Sequence, residues 1–496
     1  MQPMTISLPR RPFHGDRVHF LVTSYMLGGP DGRNLGAPGY SHEFVARLFR
    51  PLLGRLGQVT FVRDAERELA QAVAACLSRG ERPVHFSVLP FQDVTLVEGV
   101  LNVVMPAWEF PDVPDHAFDG NSRNDWPAAA DRCDLVLVSG PFTEGAFLRA
   151  GTTAPIQIVP VPTPEEYFSL PSWSGETTTI GCPAYVFESG AQDRQPHAPA
   201  HAKPRGGKKL ESLIRGATRG ALGPRRYEKI STKFKDLRHR WRRSSQTGAA
   251  IGKLPYPRVE RLDLSGVVYT SIFAPDDGRK NWADLLNAYL VGLADEENAT
   301  LVVKLIAKHA KSVRRVIDYY LARGLRHRCR LVFICDFLSD DQMLGLCRAT
   351  TFYVHATKAE GNCLPLMNYL AAGRPGVSPR HSSLGDYFDA TCGFVVESHP
   401  EPAAWPHDRR LRLTTTWARI VWPSLRDQII ASHRLACEQP AAYASLASRC
   451  RSRMQSWAAP AVVAGRLESA IGQMLAAAGG VPLRSGEKER RYRDAA

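Results

Sequence analysis

Ala359-Glu360-Gly361-Asn362-Cys363-Leu364-Pro365-Leu366-Met367-Asn368-Tyr369-Leu370-Ala371-Ala372-Gly373-Arg374-Pro375 follows an extended apolar run, Phe352-Tyr353-Val354-His355-Ala356-Thr357. The layout is a strand, an acidic turn and an apolar helix. Pro365 stands early in that helix and Gly373 at its end, the termini that each residue suits. A helix that begins beside Glu360 aims free backbone N–H groups and the positive end of its dipole at one spot, which suits a phosphate. Glu360 is then placed to accept hydrogen bonds from hydroxyls next to that phosphate. A carboxylate and a phosphate cradle in one turn fit a sugar nucleotide.

Working outward, the second half of the chain repeats the strand–helix pattern. Val267–Phe273 reads as a strand, and a polar loop leads to a helix with Trp282, Leu285, Leu286, Tyr289 and Leu290 on one side. Strands follow at 301–306 and 331–334, Ser339 caps a helix through Leu344 and Cys347, and further strands lie at 352–356 and 394–396. The first half is similar. Val18–Ser24 is a strand, Gly28 to Gly39 form a Gly-rich loop, and Ser41 caps a helix bearing Phe44, Val45, Leu48, Leu52 and Leu53. Strands are expected at 59–62, 84–90, 101–107, 135–139 and 156–161, and helices at 66–79 and 142–150. Alternating strands and helices imply parallel sheets covered on both faces. The fold class is α/β, with two doubly wound, Rossmann-like domains facing each other and ligand at the carboxyl ends of the strands.

The chain has 496 residues and a formal net charge of +14. Its ten cysteines form no CxxC pair, and several sit in apolar runs, so they read as reduced core thiols of a cytosolic protein. The N-terminus lacks a signal-peptide layout, and no apolar run reaches the roughly 18–20 residues that span a bilayer. A cytoplasmic protein, or one attached to the inner membrane surface, is expected. The acidic pairs Asp276-Asp277 and Asp340-Asp341 read as a turn and a helix first turn rather than as a metal site.

The charge is concentrated. Residues 203–243 hold fifteen Lys or Arg against three acids, while the remainder is nearly neutral. Residues 165–262 fit neither half and read as a basic insertion or linker, rich in Ser, Thr, Pro, Gly and Ala at its start. Within it Tyr227, Ile230, Phe234, Leu237 and Trp241 mark one stripe of a helix flanked by Arg and Lys. Such a helix docks on an anionic membrane, where each basic residue contributes about 1 kcal/mol, or packs on its own protein body. Nucleic acid fits less well, because no recognised nucleic-acid motif is present.

Other side chains carry chemistry. Arg279 and Lys280 lie in the loop after the first strand of the second half; Arg offers phosphate a planar fork and Lys a point charge. Lys304 sits inside an apolar strand, where a buried ammonium needs a partner or a site. Trp108 and Glu109 end the fourth strand of the first half and read either as cleft-lining residues or as an interdomain packing cluster. Gly28, Gly29 and Gly39 allow close backbone approach to a ligand. His381 and Asp386 follow the quoted helix and either border the site or shape a polar loop.

The segment from Glu360 to Asn368 resembles the signature of the retaining glycosyltransferase family 4, which has the GT-B fold. The resemblance is specific around 352–397, good around 267–306 and diffuse in the first half. It implies that Glu360 contacts the donor sugar, with Gly361, Asn362, Cys363 and Leu364 around the phosphates. The family's second Glu falls at Asn368, which keeps hydrogen bonding but no charge. The family's diphosphate-binding Lys matches Lys280. Its Arg usually stands at the strand end, where this chain has the uncharged Ser271–Pro275, and Arg279 takes that part from the neighbouring position. Glu360, Lys280 and Arg279 are thus the candidate catalytic residues, Asn368, Lys304 and Gly29 further donor-binding ones, and Trp108 and Glu109 the acceptor side. The implied domains are an acceptor-side unit at 1–164, the insertion at 165–262, a nucleotide-sugar unit at 263–423, and at 424–496 helices that cross back plus a charged tail. The implied activity is transfer of a sugar from a nucleotide-sugar to a glycan or lipid-linked acceptor, as in bacterial surface polysaccharide assembly, without metal or cofactor. A nucleotide-sugar epimerase and a non-catalytic scaffold are the alternatives.

Overall fold

The computed structural model describes residues 5–6, 17–25, 39–188, 254–405 and 413–479. The loop with Gly28 and Gly29, the basic stretch 203–243 and the charged tail at 486–493 lie outside them.

Six parallel strands form the first sheet: β1 (Val18–Ser24), β2 (Gln58–Val62), β3 (Arg82–Val88), β4 (Leu101–Val104), β5 (Leu135–Val138) and β6 (Ile156–Ile158), in the order β2-β1-β3-β4-β5-β6. The inner strands β1, β3, β4 and β5 are buried along nearly their whole length because helices cover both faces, while the edge strands β2 and β6 are partly exposed. The covering helices include α1 (Tyr40–Leu56), α2 (Ala65–Ser78) and α3 (Pro141–Arg149). Ser41 does not cap α1. The helix starts two residues earlier, at Tyr40 after Gly39 at φ +85°, and no side chain caps it. Tyr25 lies so close to Gly39 that a Cβ there would meet the ring at 2.3 Å, which leaves glycine as the residue that fits.

The second sheet has the order β8-β7-β11-β10-β9-β12-β13-β14. Its strands are β7 (Ala184–Phe187), β8 (Arg258–Val259), β9 (Val267–Phe273), β10 (Ala299–Leu305), β11 (Arg330–Ile334), β12 (Phe352–Val354), β13 (Gly376–Pro379) and β14 (Gly393–Val396). All pair in parallel except β7 and β8, which form an antiparallel edge. That edge corrects the reading of 165–262 as belonging to neither half. Tyr185 and Phe187 join the core of the second sheet, and Leu262–Leu264 pairs with Thr178–Ile180 beside it. These strands are too short, and too closely flanked by Pro, Ser and Thr, to stand out in the sequence.

The helices of this domain are α4 (Trp282–Gly292), α5 (Ala310–Arg323), α6 (Asp340–Ala349) and α7 (Leu364–Ala371). Ser339 caps α6 as expected, in a reciprocal capping box with Gln342. Pro365 occupies the first turn of α7, and Gly373 at φ +69° follows its end, where Gly373 and Arg374 return N–H bonds to Leu370 and Tyr369. After β14 comes a hairpin that the sequence did not announce, β15 (Ser398–Ala404) paired with β16 (Thr414–Ile420). Pro400 and Pro402 hide it, since proline is tolerated only where a strand lacks a neighbour on one side.

Three helices close the chain: α8 (Trp422–Glu438), α9 (Pro440–Ala458) and α10 (Pro460–Ala477). The first two pack on the second domain. The third crosses back and sets Leu467, Ile471 and Leu475 among Phe20, Phe49 and Phe86 of the first. Each such buried side chain is worth about 1.5–3 kcal/mol.

Candidate functional site

The order of the second sheet reverses between β9 and β12, the place where doubly wound sheets bind ligands. The loop after β9 carries Arg279 and Lys280, and the loop after β12 carries Glu360, so two chain segments 80 residues apart deliver their charges to one crevice. Glu360 is 4% exposed. Lys280 Nζ bonds its Oε1, and Arg279 Nη1 lies 3.5 Å from its Oε2. Burial pushes the Glu360 carboxyl up, but Lys280 and Arg279 more than reverse this and hold it down to about 2. Arg279 also donates to the Ala359 carbonyl at 2.7 Å and faces Asp277 at 3.0 Å and Glu109 at 3.4 Å. Burial works against its charge, yet Glu109, Glu360 and Asp277 keep the guanidinium protonated.

Two residues without a role in the sequence reading complete this group. His355, at the end of β12, points Nε2 at Glu360 Oε1 from 3.2 Å and at Cys363 Sγ from 3.4 Å. Burial holds its imidazole down to about 3, so it is neutral and donates to the carboxylate without adding charge. Ser382 accepts the Glu360 backbone N–H at 3.0 Å and in turn meets His381 Nδ1 at 3.0 Å, while His381 Nε2 faces the Thr357 carbonyl at 2.9 Å. The loop after β13 thus steadies the backbone at Glu360. Asp386, on the same loop, reaches the first domain and accepts the Phe142 N–H of α3 at 3.2 Å. The only sequence signal for His355 was its place near the end of the expected strand 352–356, and for Ser382 its place beside His381 in the polar loop.

The other expected residues are spread around this centre. Cys363 takes a left-handed backbone (φ +53°), a conformation that favours glycine and is stored strain at a loop-to-helix turn. The Asn362 carbonyl accepts the Tyr387 hydroxyl at 2.6 Å, and Leu364 opens α7. The Asn368 side chain lies near the buried Tyr167 hydroxyl and partly offsets the upward push of burial on it. Lys304 is 3% exposed and donates to the Leu305 carbonyl at 3.0 Å; it stands two strand ends away and shares no ion pair with Glu360 among the described residues. Its neighbours are Cys335, Asp336 and Cys182, and burial pulls its ammonium down to about 8.

Trp108 does not offer a flat face to a sugar ring. Its indole is buried against Trp126, 4.5 Å away between ring centres, and against Phe110 and Trp405, and Nε1 donates to the Asp112 carbonyl. Of the two readings of this segment, packing between domains applies to Trp108, while Glu109 reaches the ion cluster. Gly29 lies outside the described residues.

His355, Glu360 and Cys363 bring three metal-ligand atoms within 4.8 Å of one another. Lys280 and Arg279 already occupy the carboxylate, so a cation there would meet two like charges. His19, Cys76 and Glu81 form a second such group, and Arg79 fills it in the same way at 2.7 Å from Glu81.

No protein-family model matches the sequence, and no curated protein does. Among solved structures the chain is similar to sucrose-phosphate synthase from Thermosynechococcus elongatus, with a TM-score of 0.50 and 13% identity over 93% of this chain and 100% of that one. It is also similar to HepE from Anabaena in complex with UDP-glucose (TM-score 0.45, 11% identity, 92% and 99% covered). A trehalose-6-phosphate synthase gives a TM-score of 0.45 and 12% identity, with 92% and 85% covered. The chain has the GT-B fold, two facing Rossmann-like domains with the candidate site at the crevice of the second.

Proposed function

We propose that the chain is a retaining glycosyltransferase of the family 4 type, moving a sugar from a nucleotide-sugar to a glycan or lipid-linked acceptor. The observation that carries this is the convergence of Lys280 and Arg279 on the buried Glu360 carboxylate at the switch point of the second sheet. In this reading the two cations stabilise charge that grows on the leaving diphosphate, often the largest catalytic contribution. Glu360, kept ionised and fixed by His355 and Ser382, accepts hydrogen bonds from the donor sugar's hydroxyls. Asn368 orients the ribose, and Lys304 supports the donor from the neighbouring strand end. Retention follows from the donor and acceptor sharing one face of the anomeric carbon. The basic stretch 203–243 holds the enzyme at an anionic membrane face, next to the acceptor of a surface polysaccharide.

The test is a screen of UDP-, GDP-, dTDP- and ADP-sugars for binding and slow hydrolysis, beside Glu360→Ala and Lys280→Ala. The expected result is one donor turned over by the wild type and lost in both variants. The uncharged Asn368, with three carboxylates around two cations, favours a second reading, a non-catalytic scaffold. Folded protein that binds none of the donors selects it.

A further inference from the structure

Arg279 is the one cation of the cluster that touches carboxylates of both domains. Asp277 and Glu360 belong to its own domain and are fixed there. Asp277 accepts the Arg279 backbone N–H at 3.2 Å, and Glu360 is held by Lys280 and His355. Glu109 comes from the first domain, on the loop after β4, and reaches Arg279 Nε at 3.4 Å. That loop is pressed into the site. A Cβ on Gly361 would stand 3.0 Å from the Trp108 carbonyl, Thr415 bonds Asp112 at 3.1 Å, and Trp405 of the hairpin packs on Trp108.

The cluster therefore sets three carboxylates against two cations, with His355 neutral. A diphosphate needs the same two cations and brings further negative charge. Like charges at this range repel strongly, so one carboxylate has to give way. Asp277 and Glu360 move only if their own loops rearrange. Glu109 leaves by a shift of one domain against the other, the kind of motion that hinged two-domain folds allow.

We infer that Glu109, within the transferase reading, competes with the donor diphosphate for Arg279 and makes binding ordered, donor first and acceptor second. In the empty protein Glu109 holds Arg279 and closes the crevice. Donor binding displaces it. The released carboxylate then faces the acceptor side from its own domain, where it positions an acceptor hydroxyl. Acceptor has no such group to meet until the donor is seated.

The probe is inorganic pyrophosphate, the part that all candidate donors share, titrated calorimetrically into the wild type, Glu109→Gln and Glu109→Asp. Glu109→Gln is expected to bind about tenfold more tightly, the scale of one charge-assisted contact. Glu109→Asp, whose shorter side chain loses reach to Arg279, is expected to lie between. Equal or weaker binding by either folded variant overturns the inference, as does a wild type that binds no pyrophosphate. With the donor found by the screen, Glu109→Gln should lower donor KM and raise acceptor KM; a structural role would not move them in opposite directions, and two unchanged values also overturn it. Tighter pyrophosphate binding without any sugar turned over removes the transferase reading and leaves the competition standing. Sugar turnover with pyrophosphate binding indifferent to Glu109 does the reverse.

Discussion

Replacing Glu360 by Gln keeps the shape of the side chain and removes its charge, and the structure sets the size of the effect. The carboxyl is held at about 2 against an ordinary value of 4.5. That difference corresponds to about 3 kcal/mol of folded-state preference for the carboxylate at pH 7. The figure agrees with the cost of about 3–5 kcal/mol for removing one partner of a buried ion pair. The sign follows from the direction of the shift. A depressed carboxyl stabilises the fold fully above its unfolded value and loses that contribution as pH falls through the folded one. The wild-type advantage over Glu360→Gln should therefore shrink from about 3 kcal/mol at pH 7 to about 1 kcal/mol at pH 3. Urea unfolding of both proteins at the two pH values measures it. A variant within about 1 kcal/mol of wild type at pH 7, or a gap that widens in acid, would refute the view that Lys280 and Arg279 are balanced on this carboxylate.

Three further outcomes are expected. Gly140→Ala would place a Cβ 2.1 Å from Asp386 Oδ2, pushing the carboxylate off the start of α3; a loss of about 1–3 kcal/mol should appear in the urea midpoint, and a neutral change would contradict the contact. Burial raises the Asp386 carboxyl to about 7, so between its ordinary value and 7 the folded protein holds a proton that the unfolded chain has lost. The melting temperature of the wild type should accordingly fall as pH rises from 5 to 8, and Asp386→Asn should flatten that slope. Lys304→Met removes an ammonium that burial holds at about 8, and should stabilise the protein by up to about 3 kcal/mol at pH 7, a gain that fades as pH approaches 10. The same variant should raise donor KM; stabilisation with an unchanged KM would assign Lys304 to the sheet alone.

Each half of the candidate site was legible in its own loop. Glu360 follows a strand and precedes a helix with proline and glycine at its two ends, while Lys280 and Arg279 follow the first strand of the same repeat. That the two loops, far apart in the chain, serve one site was suggested by the resemblance to family 4, and it is the pairing of β9 with β12 that brings them together. What stayed hidden depends on distant packing. Nothing local to Trp108 says that Trp126, Phe110 and Trp405 enclose its ring, since Trp405 lies almost 300 residues on. Asp386 reads as a polar loop residue until α3 of the other domain is brought to it. The edge strand Ala184–Phe187 is four residues long and pairs with a strand far along the chain, so periodicity had too little length to act on.

The last helix has a consequence for biogenesis. Because α10 fills the core of the first domain, that domain cannot finish folding until α10, translated after the whole of the second domain, has left the ribosome. During synthesis Phe20, Phe49 and Phe86 wait with one side uncovered while the second domain is translated. The first domain is completed after the second, and a premature stop before Pro460 would leave its core open rather than release a sound first domain.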